Sequence, residues 1–265
     1  MLYKGVLTKM ESEFSDPINY YLSIGNDFVQ FHQLIRKKLK FKFLGFECLN
    51  CKSDNTIYRQ GFCKSCFFES PQTADWVMRP ENSKAHLEIE DRNLEYEKKV
   101  QLQPHIVYLA NSSNVKVGVT RKTQVPTRWI DQGAVTALEI LEVPNRYLAG
   151  LAEVALKGYI SDKTNWREML KGNIQNENLL DWKSKLKEYL PNELKPYILN
   201  TQSQVNINFP VQKYPTSPRS LNLVKIQEYE GVLYGIKGQY LIFEDDTVFN
   251  IRSNEGLVVA LDVLN

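Results

Sequence analysis

Over the first 46 residues the chain alternates apolar and polar positions with the two-residue period of strands. The segments are GVLTKM, then YYLSI before a Gly25-Asn26-Asp27 turn, then KLKFKFLGF. In 36-RKKLKFKF-43 this puts Leu39, Phe41 and Phe43 on one face and Lys38, Lys40 and Lys42 on the other. From residue 105 the period begins to switch. HIVYLA reads as a strand, Asn111 to Asn114 as a turn, and VKVGVT as a returning strand. A short helix opened by proline follows at 126-PTRWIDQ-132, then a third strand at 135-VTALEILEV-143. Residues 146–160 form a helix with Leu148, Leu151, Ala152, Ala155, Leu156 and Tyr159 on one face. Another helix spans 177–190 and stops at Pro191, and glycine-punctuated strands run from 221 to 263.

These patterns predict an α+β fold in successive parts. Residues 1–80 are β-rich, 81–103 connect, and 104–200 hold an α/β core with trailing helices. Residues 201–220 then link to a small all-β module at 221–265. No run has the apolar length of a membrane span or a signal peptide, so a cytoplasmic location is expected, with no membrane partner.

Apolar residues make up 43% of the chain, enough for real cores. The 33 Lys and Arg nearly balance 31 Asp and Glu, leaving a formal charge of +2, so any anion-binding function must rest on a local patch. The lysine stripe from residue 38 is one such patch. A solvated sheet face explains it most simply, and as nucleic-acid contacts Lys38 and Lys40 are the candidates.

All four cysteines lie in 48-CLNCKSDNTIYRQGFCKSC-66, as two C-x-x-C pairs eleven residues apart. That is the spacing of a zinc ribbon. A hairpin with Ile57 and Tyr58 on one arm and Phe62 and Cys63 on the other would bring Cys48, Cys51, Cys63 and Cys66 together as a closed tetrahedral set for structural Zn. A redox dithiol or four unrelated thiols are the competing readings, and a reducing compartment disfavours disulfides.

Glu153 lies off the apolar stripe of its helix, beside Ala149 and Gly150. Taken alone it reads as an exposed acid. In the order strand with Tyr108, strand with Lys116 and Gly118, helix with Arg128, strand, helix with Glu153, residues 104–172 resemble the GIY-YIG nuclease superfamily. The resemblance implies a ββαβα core in which Tyr108 helps activate water and Arg128 stabilises the phosphorane. It also implies that Glu153 binds catalytic Mg or Mn.

Lys116 stands where the second motif has its tyrosine. A lysine there could bind phosphate, act as a base, or mark a site that has drifted from cleavage to binding. Arg121 and Lys122 would extend the basic surface. His105 reads as structural, Trp129 and Trp166 as packing residues, and 162-DKTNWRE-168 as the segment closing the core, with Asn165 either capping a helix or contacting the site. The strings YLANSSNVKVGVTR, PTRWIDQGA, DKTNWREML and GIKGQYLIF, with the preceding zinc ribbon, resemble a bacterial family of unknown function with this layout. The function expected is metal-dependent cleavage of DNA or RNA. Non-catalytic nucleic-acid binding and a protein-interaction scaffold are the alternatives.

Overall fold

A computed structural model describes residues 1–160 and 165–264. The fold is α+β and divides into two compact units. One joins Met1–Phe68 and Leu170–Gly172 to the chain from Asn208 onward; the other joins Glu69–Met169 to Asn173–Ile207.

The first unit is built on a seven-stranded sheet. Its spatial order is Leu2–Val6, Leu257–Leu264, Lys38–Phe46, Glu228–Lys237, Tyr240–Phe243, Thr247–Asn250 and Arg219–Ser220. Only the last pair is parallel. The two ends of the chain therefore share one sheet and are not separate modules at 1–80 and 221–265. The alternation in Lys38–Phe46 explains why: Leu39 and Phe41 are fully buried, and Phe41 packs edge-on to Phe243 and Phe249 at 6.5 and 5.5 Å. A strand needs partners on both edges to escape unpaired backbone groups, and Leu257–Leu264 and Glu228–Lys237 supply them. A three-stranded sheet, Glu11–Glu13, Asn19–Ile24 and Asp27–Gln30, belongs to the same unit, as does the hairpin Ile57–Arg59 and Phe62–Cys63.

The second unit carries an antiparallel sheet ordered Val205–Asn206, Thr136–Val143, His105–Asn111, Val115–Arg121. With helices Thr127–Asp131 and Arg146–Lys157 its chain order is ββαβα, as the periodicities predict. Val107, Leu109, Val115 and Val117 face Ala149, Ala152 and Leu156 of the long helix, and this contact makes the core. Asn145 caps that helix, its Oδ1 accepting the Leu148 N–H at 3.0 Å.

The expected connector at 81–103 and linker at 201–220 are built into the units. The 3-10 turn Pro80–Asn82 lies against Gly150, where a Cβ would fall 2.2 Å from the Glu81 nitrogen, so only a bare glycine admits this backbone. Val205–Asn206 extends the second sheet, and Arg219–Ser220 the first. Among the described residues no helix is long and apolar enough to cross a membrane.

Candidate functional site

The clearest built site is the cysteine cluster. The hairpin and the helix Lys64–Glu69 bring one sulfur from each of Cys48, Cys51, Cys63 and Cys66 within 4.8 Å of one another. Cys51 Sγ and Cys63 Sγ are 3.8 Å apart. A tetrahedral Zn–S₄ set with ~2.3 Å bonds has sulfurs about 3.8 Å apart, so the spacing suits a metal such as zinc and is far from a disulfide. All four thiols are free.

Neighbouring donors suit thiolates as well. The Cys63 N–H points at Cys48 Sγ at 3.3 Å, and Asn50 Nδ2 at Cys66 Sγ at 3.4 Å. The Ser53 hydroxyl leads the effects that pull the Cys51 thiol down to about 6. The Asn50 amide also favours a Cys66 thiolate, but burial and the other three sulfurs outweigh it and push Cys66 up to about 12. That spread is expected when clustered sulfurs compete to ionise without a cation.

A second constellation forms in the other unit around Tyr108, which is fully buried. Antiparallel register sets Tyr108 opposite Gly118, and the phenol lies across the glycine: a Cβ there would meet Tyr108 Oη at 2.6 Å. Trp129 packs beside it with ring centroids 6.0 Å apart, and the phenol donates to Gln132 Oε1 at 3.1 Å. Burial pushes the Tyr108 phenol up, while the adjoining Arg128 cation and its hydrogen bond oppose the rise; Glu153 is close enough to add to it. Tyr108, Arg128 and Glu153 thus share one electrostatic neighbourhood although they come from a strand and two helices.

Glu153 has a side-chain exposure of 12%, and its Oε2 lies 3.4 Å from Lys157 Nζ, one helical turn on. The space beside Ala149 and Gly150 is taken by the Pro80–Asn82 turn. Two residues there escaped the sequence reading. Arg146 opens the helix and donates to the Trp76 and Val77 carbonyls at 3.1 and 2.7 Å. Burial lowers it to about 10, and it feels both Glu153 and Glu81. Glu81 Oε2 is buried without a hydrogen-bond partner. Arg146, directly after the capping Asn145 and one turn before Gly150, was the available signal; nothing local marks Glu81.

The expected basic surface does not form as a single patch. Cross-strand register puts Lys116 on the Tyr108 face, where it is 4% exposed, and Arg121 on the opposite face. Lys122 Nζ is held by both Glu142 oxygens at 2.8 and 2.9 Å. Lys38 pairs with Glu230, and Lys40 with Glu228 at 2.8 Å. The lysine stripe is therefore countered by acids on the neighbouring strand, which a segment read in isolation does not reveal.

Other expectations concern single side chains. His105 is buried, its Nδ1 2.7 Å from the Gln103 carbonyl, and burial drops it to about 4, so it is neutral. Trp129 is buried, and Trp166 stacks under Arg167 at 4.3 Å. Asn165 acts as a cap, accepting the Arg167 N–H at 3.2 Å. Residues 162–164 of the expected closing segment lie outside the described residues.

Residues 36–259 match the family described as "Protein of unknown function (DUF2797)". The chain belongs to this family. No curated protein and no solved structure matches it. The DUF2797 match spans both units and includes the cysteine hairpin and the Tyr108 constellation.

Proposed function

We propose that this DUF2797 protein acts on nucleic-acid phosphodiester bonds through Tyr108, Arg128 and Glu153, and holds a structural Zn²⁺ at its four cysteines. The observation that carries the reading is that the Arg128 cation and, at longer range, the Glu153 carboxylate both act on the one buried phenol of Tyr108, although the three residues come from separate elements. Arg128 would bind two phosphate oxygens and stabilise charge developing on phosphorus. Tyr108, kept protonated by burial, orients a water and does not deprotonate it. Lys116 on the same face would offer a further cation to the phosphate.

A single carboxylate with water ligands suits Mg²⁺ or Mn²⁺, so Glu153 fits as its holder, with Lys157 displaced when the ion binds. The ion would act as a Lewis acid on the leaving oxygen. Glu81, with its unpartnered buried oxygen, is a further acid that acts on the same Arg146.

A second reading, binding without cleavage, is favoured by the complete burial of Tyr108 and by the Lys157 countercharge on Glu153. The two are separated by incubating single-stranded, duplex and branched DNA and RNA with Mg²⁺ or Mn²⁺ and wild-type or Glu153→Ala protein. Cutting by wild type alone supports the hydrolase. Salt-sensitive binding by both proteins without cutting supports the second reading, and neither cutting nor binding refutes both.

A further inference from the structure

Among the described residues Lys38, Lys40 and Lys122 are countered by acids, whereas Arg59 and Lys225 in the first unit are not. In the first unit a cleft of about 490 Å³ runs between the cysteine hairpin, the helix Leu223–Ile226 and the 3-10 turn Arg252–Asn254. The hairpin is anchored by backbone hydrogen bonds, Leu49 N–H to the Gly61 carbonyl and Glu47 N–H to the Gly256 carbonyl, each 2.8 Å. The cleft is therefore a fixed feature of one unit.

Its chemistry is mixed in a specific way. Leu221 and Leu257, both buried, form an apolar floor. Tyr58 lines one wall and is 44% exposed, with the Arg59 guanidinium 5.4 Å from its ring centroid. Lys225 stands on the helix opposite, and neither Arg59 nor Lys225 makes an ion pair among the described residues. Among the described residues Glu255 is the one acid lining the cleft, and it is already engaged by the Lys9 N–H at 2.8 Å. Asn222 also lines the cleft and uses its Oδ1 to cap the helix, accepting the Lys225 N–H at 3.0 Å.

Tyr58 is also part of an aromatic cluster. Its ring lies 5.2 Å from Phe67 and 5.7 Å from Phe68, and Phe68 is 54% exposed. An exposed aromatic cluster beside two cations without acidic partners suits a ligand that has both a flat apolar face and a negative charge.

We propose that this cleft binds single-stranded nucleic acid, a base stacking on Tyr58 while Arg59 and Lys225 hold the flanking phosphates. Aromatic stacking is sequence-tolerant, and paired cations across a groove track a backbone. A duplex hides its base faces and would not use Tyr58. The inference rests on the first unit alone and stands or falls separately from the Tyr108 centre.

The test is fluorescence anisotropy with labelled twelve-residue oligothymidylate and oligouridylate, no divalent ion added, on the full chain with its metal. Tyr58→Ala is expected to weaken binding about fivefold or more, while Tyr58→Phe, which keeps the ring, binds like wild type. Arg59→Gln with Lys225→Gln should flatten the dependence of log affinity on log salt by about 0.7 per cation removed. Zinc content and melting temperature of each variant are measured alongside, and Tyr58 is exposed enough for its loss to leave both unchanged. Equal binding by wild type and Tyr58→Ala, no binding by wild type, or full competition by a polyglutamate peptide would each overturn the proposal.

Discussion

The phenol of Tyr108 lies directly over Gly118 on the neighbouring strand, so near that a methyl group there would sit 2.6 Å from its oxygen and 2.7 Å from Cζ. Gly118 does not serve a left-handed backbone; it makes room for a buried ring. Gly118→Ala should therefore destabilise the second unit by about 1–3 kcal/mol through overpacking. Urea unfolding of the single and double variants checks this: the cost of Gly118→Ala should fall when Tyr108 is already alanine.

The cysteine cluster predicts a metal-dependent first unit. Purified protein should carry about one Zn per chain, and Cys63→Ser should lose the metal and lower the melting temperature. Metal analysis with differential scanning calorimetry reads both. Unaltered melting of zinc-free protein would remove the structural role.

Glu97 illustrates a buried charge with a purpose. Its carboxylate is 1% exposed and accepts the Asp91, Arg92 and Asn93 N–H groups at 3.1, 2.7 and 3.0 Å. Burial alone would raise it, but those three donors outweigh burial and hold it below the ordinary carboxylate value. A lowered folded pKa means its stabilisation is complete above the unfolded value of about 4.3 and is lost as pH falls through the folded value. Glu97→Gln should cost about 1–3 kcal/mol at pH 7, and the gap from wild type should shrink in acid.

Lys237 works in the opposite direction. It is fully buried, its ammonium 5.5 and 5.2 Å from the ring centroids of Phe209 and Tyr214, and burial lowers it to about 8. Between about 8 and the unfolded value of about 10.4 the unfolded chain binds more protons, so stability rises with pH across that window. Relative to Lys237→Met, wild type should gain on the order of 2 kcal/mol from pH 7.5 to 10.5. Parallel curves for the two proteins would contradict this.

What the sequence discloses depends on how local the physics is. The cysteine hairpin is legible because two C-x-x-C pairs fix their own geometry within nineteen residues. The ββαβα order is legible because each element buries one periodic face. Pairing of Lys40 with Asp262 across a separation of 222 positions leaves no local mark, so the sheet uniting the two ends of the chain is not visible in the sequence. The same applies to Lys38 and Lys40, whose acidic partners are set by the likewise distant pairing with Glu228–Lys237 on the strand's other edge. Glu81 reaches Gly150 only through tertiary packing, and the segment around it read as a connector.

The central claim is that Tyr108, Arg128 and Glu153 act as one phosphodiester centre. Its most direct test is a time course of oligonucleotide cleavage with Mn²⁺ by wild type, Tyr108→Phe, Arg128→Ala and Glu153→Ala, each first shown to melt like wild type. The account predicts cutting by wild type and a loss of at least about a hundredfold in every variant, as removal of one stabilising group at such a centre costs. Undiminished cutting by Arg128→Ala and Glu153→Ala, or none by wild type on any strand, would contradict it.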